Sequence, residues 1–458
     1  VSDDVTSPDG PGASGALLPD GVHGLLGDHL AQQRWYAGTD RPTDASITVV
    51  DARILASRGD HHLHWAVLEV DGLRYQLLLG ERPGGETAEF LAGREAAVVG
   101  SPASSYFYDA TYDAELMLAF FELVTGSPAE RVRPVGAEQS NTSLVFDDRT
   151  IVKIYRRLLE GANPDIEVTT ALVAAGFDHV AEPVGTWRAD GIDLAFAQRF
   201  LAGGSEGWAL ALTSLRDLFH SESGEPADAG GDFSGEAARL GRVSAEMHLA
   251  LAGAFPEGSE VLRRGWAGFV DQLDSRLHQA VAGDGSGEQR EVTRRLLARL
   301  RSLPDPGPAL RVHGDYHLGQ VMRTDSGWFV LDFEGEPARP FHERTRPSSA
   351  MKDVTGMLRS LDYAARFVQR ERDDTGSDEG TARADAWESH NRAAFLDGYL
   401  SVGGVEGLLA APGEARELVL AAFELDKALY ELRYEQAYRP TWVDIPTQAI
   451  GRILGRIG

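Results

Sequence analysis

The hydrophobic repeat of this chain changes once, near AGGSEGW at residues 202–208, from a period of two to a period of about 3.6. A repeat of two sends successive side chains to opposite faces of a strand, whereas 3.6 gathers every third and fourth residue on one face of a helix. The pattern therefore predicts the α+β class, with a sheet-rich part before the change and a helix-rich part after it. Upstream, SITVVDARIL, HHLHWAVLEV and LRYQLLLGER alternate apolar and polar residues and are separated by SRGD and VDG, the pattern of an antiparallel meander. A helix over LLGDHLAQQRWYAG, closed by Gly38, precedes them, and helices are predicted over ETAEFLAGREAAVV and AELMLAFFELV. Then come strands in VRPVGAEQS, NTSLVFDDR and TIVKIYRR, a helix in NPDIEVTTALVAAG, and strands in AEPVGTWRA and IDLAFAQRFL. Downstream, apolar stripes over 236–254, 290–303, 349–370, 386–402 and 414–438 predict helices, and a hairpin joins GQVMR to WFVLDF through TDSG. Acidic, glycine-rich segments at 221–237, 283–288 and 371–383 read as loops. The expected organisation is a disordered tail at 1–19, an N-terminal cap subdomain at 20–125, a small sheet lobe at 126–201 and a helical lobe at 202–458.

Composition narrows the function. Among 458 residues, 44 Lys and Arg face 70 Asp and Glu, a net charge of -26 that repels polyanions, so nucleic acid is not an expected partner. No apolar run approaches the ~18 residues of a membrane span, so no membrane partner is expected. The absence of Cys excludes disulfides and thiolate metal sites. The acidic start VSDDVTSPDGPGASG lacks the basic and apolar regions of a secretory leader, which reads as a cytoplasmic protein, monomeric or homodimeric.

The chemistry concentrates in HGDYHLGQV, residues 313–321. His313 and His317 have the spacing of two zinc ligands on a helix, but Gly314 and Gly319 are poor helix formers and the segment runs into a strand, so zinc is disfavoured. The alternative takes Asp315 as a catalytic base, Gln320 five residues later as a carbonyl ligand, and Asp332 beyond the hairpin as a carboxylate ligand. Loop and hairpin strand then lie side by side and bring Gln320 and Asp332 onto one Mg²⁺. Lys153 sits mid-strand among apolar residues, where an ammonium needs a partner; it suits the phosphates of ATP, with Glu167 on the next helix to pair with it. The turn ahead of that strand, GAEQSNTS, has one glycine and offers Ser140, Asn141, Thr142 and Ser143 as phosphate-facing donors.

These residues, together with QQRWYAG, IVKIYRRLLEGANPDIE, VLDFEGEPARP, RPSSAMKDVTGMLRSLDYAA and ELDKALYELRYE…RPTW, resemble the maltokinase-like kinases, relatives of the aminoglycoside phosphotransferases. The resemblance spans residues 32–442 and implies a cap fused to a bilobal protein-kinase-like fold that binds ATP with Mg²⁺ between its lobes and phosphorylates a sugar. Carried over, it makes Asp315 the base, Gln320 and Asp332 the metal ligands, and Lys153 with Glu167 the phosphate clamp. Gln198, Phe200 and Leu201 would meet adenine at the hinge, and Glu334 is a further metal candidate. The acceptor side carries His317, Asp426, Tyr430, Glu435 and Tyr438. Tyr438 stands where a maltokinase is expected to have Asn, which disfavours a disaccharide. Glu424, Asp426, Glu431 and Glu435 are carboxylates suited to an ammonium, although Glu424 and Glu431 read equally well as a solvated face. The expected reaction is glucosamine to glucosamine 6-phosphate, with maltose 1-phosphate formation, an aminoglycoside kinase and a catalytically silent scaffold as alternatives.

Overall fold

The computed structural model describes residues 18–38, 40–84, 89–102, 104–136, 141–256, 260–281, 287–336, 339, 341–372 and 377–457. The tail expected at 1–19 lies outside these residues except at its last two positions. The chain forms two compact units, one from residues up to 167 with 181–202, the other from 168–180 with 203–458.

In the first unit, helix α1 (His23–Ala31) precedes strands β1 (Ile47–Arg58), β2 (His61–Val70) and β3 (Leu73–Pro83), followed by β4 (Val98–Gly100), β5 (Ser105–Asp109) and helix α2 (Ala114–Thr125). The next strands are β6 (Val132–Pro134), β7 (Asn141–Phe146), β8 (Thr150–Tyr155) and β9 (Arg157–Leu158), then helix α3 (Pro164–Ala174), whose residues from 168 onward belong to the second unit, and, again in the first unit, β10 (Pro183–Ala189) and β11 (Ile192–Arg199). The first sheet runs β1-β2-β3-β5-β4 with β9 paired to β3, and the second β10-β11-β8-β7-β6. The period of two in β2 explains why both faces of the first sheet are covered. Leu63, Trp65 and Val67 join Phe120 of α2 and Leu144, Val152 and Phe196 of the second sheet, while Ala66, Leu68 and Val70 pack with Leu26 and Leu30 of α1.

Cap and small sheet are thus one body. Gln76, fully buried on β3, donates from Nε2 to the carbonyls of Tyr155 at 2.6 Å and Leu194 at 2.5 Å, and its Oε1 accepts from Trp65 Nε1 at 3.1 Å. Two expectations change here. The helix predicted over 86–99 is, where described, two short 3-10 turns leading into β4, with Gly93 at φ +74° breaking the helical pattern and Val98 and Val99 favouring a strand. Helix α1 ends at Ala31 and not at Gly38, because Trp35 turns inward and packs its ring on Tyr75.

The second unit holds α4 (Gly207–His220), α5 (Ser234–Ala254), α6 (Val261–Val281), α7 (Gly287–Arg301), α8 (Phe341–Arg344), α9 (Met351–Glu371), α10 (Asp378–Leu400), α11 (Glu414–Tyr438) and α12 (Asp444–Ile457). A small sheet, β12 (Ser205–Glu206), β13 (Val321–Thr324) and β14 (Gly327–Val330), contains the predicted hairpin, with Thr324 opposite Gly327. The loop expected at 371–383 is shorter than predicted, since Ser377 caps α10 by accepting from the N–H of Gly380. Among the described residues no helix is long and apolar enough to cross a membrane.

Helix α9 is buried along almost all its length and forms the floor of the loop 313–320. At Gly356 it passes so close to that loop that a Cβ there would lie 2.4 Å from the carbonyl oxygen of Tyr316.

Candidate active site

The loop 313–320 is shaped by one buried carboxylate. Asp353, in the first turn of α9, accepts the backbone N–H of His313 at 2.7 Å and of Gly314 at 2.9 Å, and Nε2 of His248 at 3.1 Å. Burial alone would raise the Asp353 pKa, but the His248 hydrogen bond, the nearby His248 and His313 charges and the Gly314 N–H outweigh it and hold it below the ordinary value. Gly314 adopts φ +89°, which lets the backbone turn over Asp353 at no steric cost. Nδ1 of His313 accepts from the N–H of Asp315 at 3.3 Å while Nε2 meets the carbonyl of Leu331 at 2.8 Å. His313 is therefore a buried strut between the loop and the segment that follows β14, as a structural member of the loop should be.

Asp315 is partly exposed and held on one side. Lys427 of α11 donates to its Oδ1 at 3.1 Å and to Oε1 of Glu336 at 3.0 Å. Burial pulls the Lys427 ammonium down, but the two carboxylates more than reverse this and raise its pKa. Glu336 is nearly fully buried and is ion-paired to Arg339 as well. Burial pushes its carboxyl up, yet the charges of Lys427, Lys352 and Arg339 prevail and lower it to about 2. Lys352 lines a cavity of about 10 Å³ with Gly314, Glu336, Asp426 and Lys427, and burial lowers its pKa against the pull of Glu336. His317 Nδ1 accepts from the N–H of Gly319 at 3.0 Å, its Nε2 lies 3.9 Å from Asp315 Oδ2, and burial lowers its pKa. This places it beside Asp315 as a neighbour whose imidazole burial disfavours charging.

Gln320 and Asp332 meet as their spacing predicts, with Gln320 Nε2 donating to Asp332 Oδ2 at 3.1 Å. Asp332 adopts φ +63°, a left-handed conformation that a non-glycine residue holds at a cost of ~1–3 kcal/mol, and such strain gathers at functional positions. With Glu334 two residues on, the set consists of carboxylate and amide oxygens, the hard donors that suit Mg²⁺ and not a soft metal. Gln320, Asp332 and Glu334 would hold the ion.

In the first unit, Lys153 on β8 donates to Asp165 Oδ2 at 2.9 Å, with Asp165 buried in the first turn of α3. Sequence reasoning named Glu167 as the partner of Lys153 and did not name Asp165, which the structure adds; Glu167 lies two residues on and is exposed. Ser140 lies outside the described residues. Asn141, Thr142 and Ser143 belong to β7 and not to the turn, because their alternation continues the sheet opposite Tyr155, Ile154 and Lys153. The Thr142 hydroxyl accepts from Arg156 Nε at 2.8 Å, and Ser143 is buried. At the expected hinge, Gln198 pairs with Ile151 in the sheet, the N–H of Phe200 is committed to the carbonyl of Arg149 at 2.6 Å, and Arg133 lies over the Phe200 ring, with Leu201 next in the chain.

The acceptor candidates on α11 separate by their partners. Glu424 is buried between Arg392 and Arg456, and Glu431 pairs with buried Arg359, so the solvated face considered for them does not form. Asp426 is ion-paired to Arg276 and lies 3.7 Å from Arg339. Tyr430 has its ring 5.0 Å from the Lys427 ammonium. Buried Glu435 accepts at Oε1 from the Tyr363 hydroxyl at 2.7 Å and Arg439 at 2.6 Å, while its Oε2 has no hydrogen-bond partner among the described residues. Tyr438 is 72% exposed and leans on Tyr434. Sequence reasoning missed Glu336, Lys352, Asp353 and Lys427. The available signal was charged residues inside otherwise apolar stretches, as in SAMKDVTGML and LDKALY.

Residues 131–388 match the family described as phosphotransferase enzyme family, and residues 29–113 match the maltokinase N-terminal cap domain. The chain is 27% identical to a glucosamine kinase of Streptacidiphilus jiangxiensis over 87% of its own length and 90% of that protein. It is 28% identical to a glucosamine kinase of Mycolicibacterium smegmatis over 70% of its length and 79% of the relative. Among solved structures, it is similar in fold to a glucosamine kinase in complex with glucosamine, ADP and inorganic phosphate, with a TM-score of 0.62, 23% identity, and coverage of 93% of this chain and 99% of the other.

Proposed function

The chain belongs to the phosphotransferase enzyme family, and on that premise we propose that it is an ATP-dependent sugar kinase that converts glucosamine to glucosamine 6-phosphate. The observation that carries the chemistry is Asp315, held on a loop that Asp353 anchors from below and followed at the predicted spacing by the Gln320 and Asp332 pair. The names of the two relatives support the choice of sugar.

The acceptor hydroxyl attacks the γ-phosphorus, a new O–P bond forms as the bond to the β,γ-bridging oxygen breaks, and ADP leaves. Asp315 orients the hydroxyl through Oδ2 and takes its proton, since Oδ1 is engaged by Lys427. Lys153, tethered by Asp165, serves the nucleotide phosphates. Gln320, Asp332 and Glu334 would hold Mg²⁺, which would supply neutralisation of the phosphate charge. Leu201 and its neighbours are proposed for adenine, and Tyr430 and Glu435 for the acceptor. An ATP-dependent reaction fits a cytoplasmic enzyme.

The match to a maltokinase cap favours maltose 1-phosphate as the second reading. A phosphotransfer screen with ATP against glucosamine, glucose, maltose and an aminoglycoside decides between them. Asp315→Asn is expected to lower kcat by ~10²-fold or more with an unchanged melting temperature. Turnover of maltose without glucosamine reverses the choice of acceptor, and near-wild-type kcat in Asp315→Asn removes Asp315 as the base.

A further inference from the structure

We propose that Lys427 is a positioning and specificity-determining residue: its ammonium turns Oδ2 of Asp315 to the acceptor and bars a second cation from the position next to the reacting hydroxyl. The enzyme then phosphorylates an amino sugar only at a hydroxyl remote from the ammonium. This rests on the sugar-kinase reading above and adds to it a source of regiochemistry.

Three cations, Lys427, Lys352 and Arg339, converge on the single buried carboxylate Glu336, and Lys427 alone among them hydrogen-bonds Asp315 in the described structure. Lys427 and Asp315 are each 18% exposed, so water screens their charges only in part. Because Lys427 bridges two carboxylates from different segments, its head group cannot swing aside without leaving buried Glu336 short of a partner. Oδ1 of Asp315 is thereby occupied, and the free direction is that of Oδ2, beside His317. An ammonium on the carbon next to the reacting hydroxyl would come within a few ångströms of Lys427 and be repelled.

Toward the C-terminal end of the same helix a carboxylate, Glu435, is engaged through Oε1 by Tyr363 and Arg439 and offers its other oxygen to an ammonium. Glu435 lies eight residues further along α11, ~12 Å at the helical rise, and keeps a buried Oε2 without a hydrogen-bond partner. The helix therefore presents a cation beside the base and a carboxylate at a distance, which orients an amino sugar with its ammonium away from Asp315.

The test compares wild type with Lys427→Met on glucosamine, glucose and 4-amino-4-deoxyglucose, whose ammonium is close to the 6-hydroxyl. Both kcat and KM are measured, and each ester is located by phosphorus–proton correlation NMR. Wild type is expected to give one ester of glucosamine, on the 6-oxygen, and to disfavour the 4-amino isomer by about tenfold or more in kcat/KM. In Lys427→Met, kcat on glucosamine falls by about tenfold or more at an unchanged KM for ATP, and discrimination against the 4-amino isomer shrinks by a comparable factor. Lys427→Arg, which keeps the charge, retains the discrimination. A Lys427→Met enzyme that discriminates as wild type does, or loses activity equally on all three acceptors, overturns the proposal. Lys427→Gln supplies the same ratio if the Met variant lacks a cooperative melt. If glucosamine fails as a substrate while another sugar is turned over, the acceptor assignment falls separately, and Lys427 is judged by the same comparison on amino and neutral forms of that sugar.

Discussion

Replacing Asp353 by Asn tests whether the catalytic loop is held from beneath. The change keeps shape and volume, so it opens no cavity. It puts an NH₂ group where one oxygen of the carboxylate now accepts either the Gly314 N–H, or both the His313 N–H and His248 Nε2. One donor must then face another donor inside the fold, and the remaining bonds lose their charge. A hydrogen bond to a charged group is worth ~1.5–3 kcal/mol, and an unsatisfied buried donor costs a similar amount, so the loss is about 3 kcal/mol. At roughly 2 °C per kcal/mol for a body of this size, the melting temperature should fall by about 6 °C. The catalytic consequence is larger than the thermal one, because a shift of ~1 Å at Asp315 costs on the order of 10²-fold in rate. Circular dichroism melts and steady-state kinetics at neutral pH read both effects. Because the Asp353 pKa is lowered, its stabilisation is complete above the ordinary carboxylate pKa and is lost as pH falls through the folded value. The wild-type advantage should therefore narrow below about pH 4. A variant with wild-type kcat and melting temperature would refute the view that this carboxylate holds the loop.

Gly356→Ala places a Cβ 2.4 Å from the Tyr316 carbonyl, so α9 and the loop must separate; a loss of ~1–3 kcal/mol in a denaturant melt and a fall in kcat with little change in the KM for ATP are expected. Glu336→Gln removes the partner of Lys427 and Arg339. Because the Glu336 carboxyl titrates at about 2 when folded, its stabilisation is present above about pH 4.5 and disappears as pH falls toward 2, so melting curves of wild type and variant should converge over that interval.

The sequence was most informative where backbone geometry and chemistry coincide. Asp315, Gln320 and Asp332 could be placed together because a hairpin of known register returns the chain to its starting edge, and Gln320 does meet Asp332. Strands β1 to β3, β6 to β8, β10 and β11 were legible from their period of two, and α5, α9 and α11 from their apolar stripes, whereas β4 and β5 were too short to show a period. Helices α4, α6 and α12 were not called. Arg, Asp and Gln break the stripe of α6, and one of its partners, α11, lies far along the chain. Lys427, Glu336 and Asp353 escaped for a related reason: each charge is explained by a partner tens of residues away, and residue type alone does not show which buried charge meets which. Asp165 went unnamed beside Glu167 because both carboxylates lie in the first turn of one helix, and spacing by analogy does not show that the buried one also reaches the lysine.

The strand pair β9 and β3 settles how divisible this protein is. Two residues after the Lys153 strand, Arg157 and Leu158 leave the small sheet and add themselves to the sheet of the cap, while Gln76 satisfies carbonyls on the other side. A cut between residues 125 and 126 would strip Trp65 and Leu78 from the face they cover and leave backbone groups of β9 without a ladder. The cap is therefore not a detachable module that a kinase could gain or shed by simple fusion. A gene rearrangement here has to keep the cap and the small sheet together as one inherited block, which a seam before residue 126 would divide.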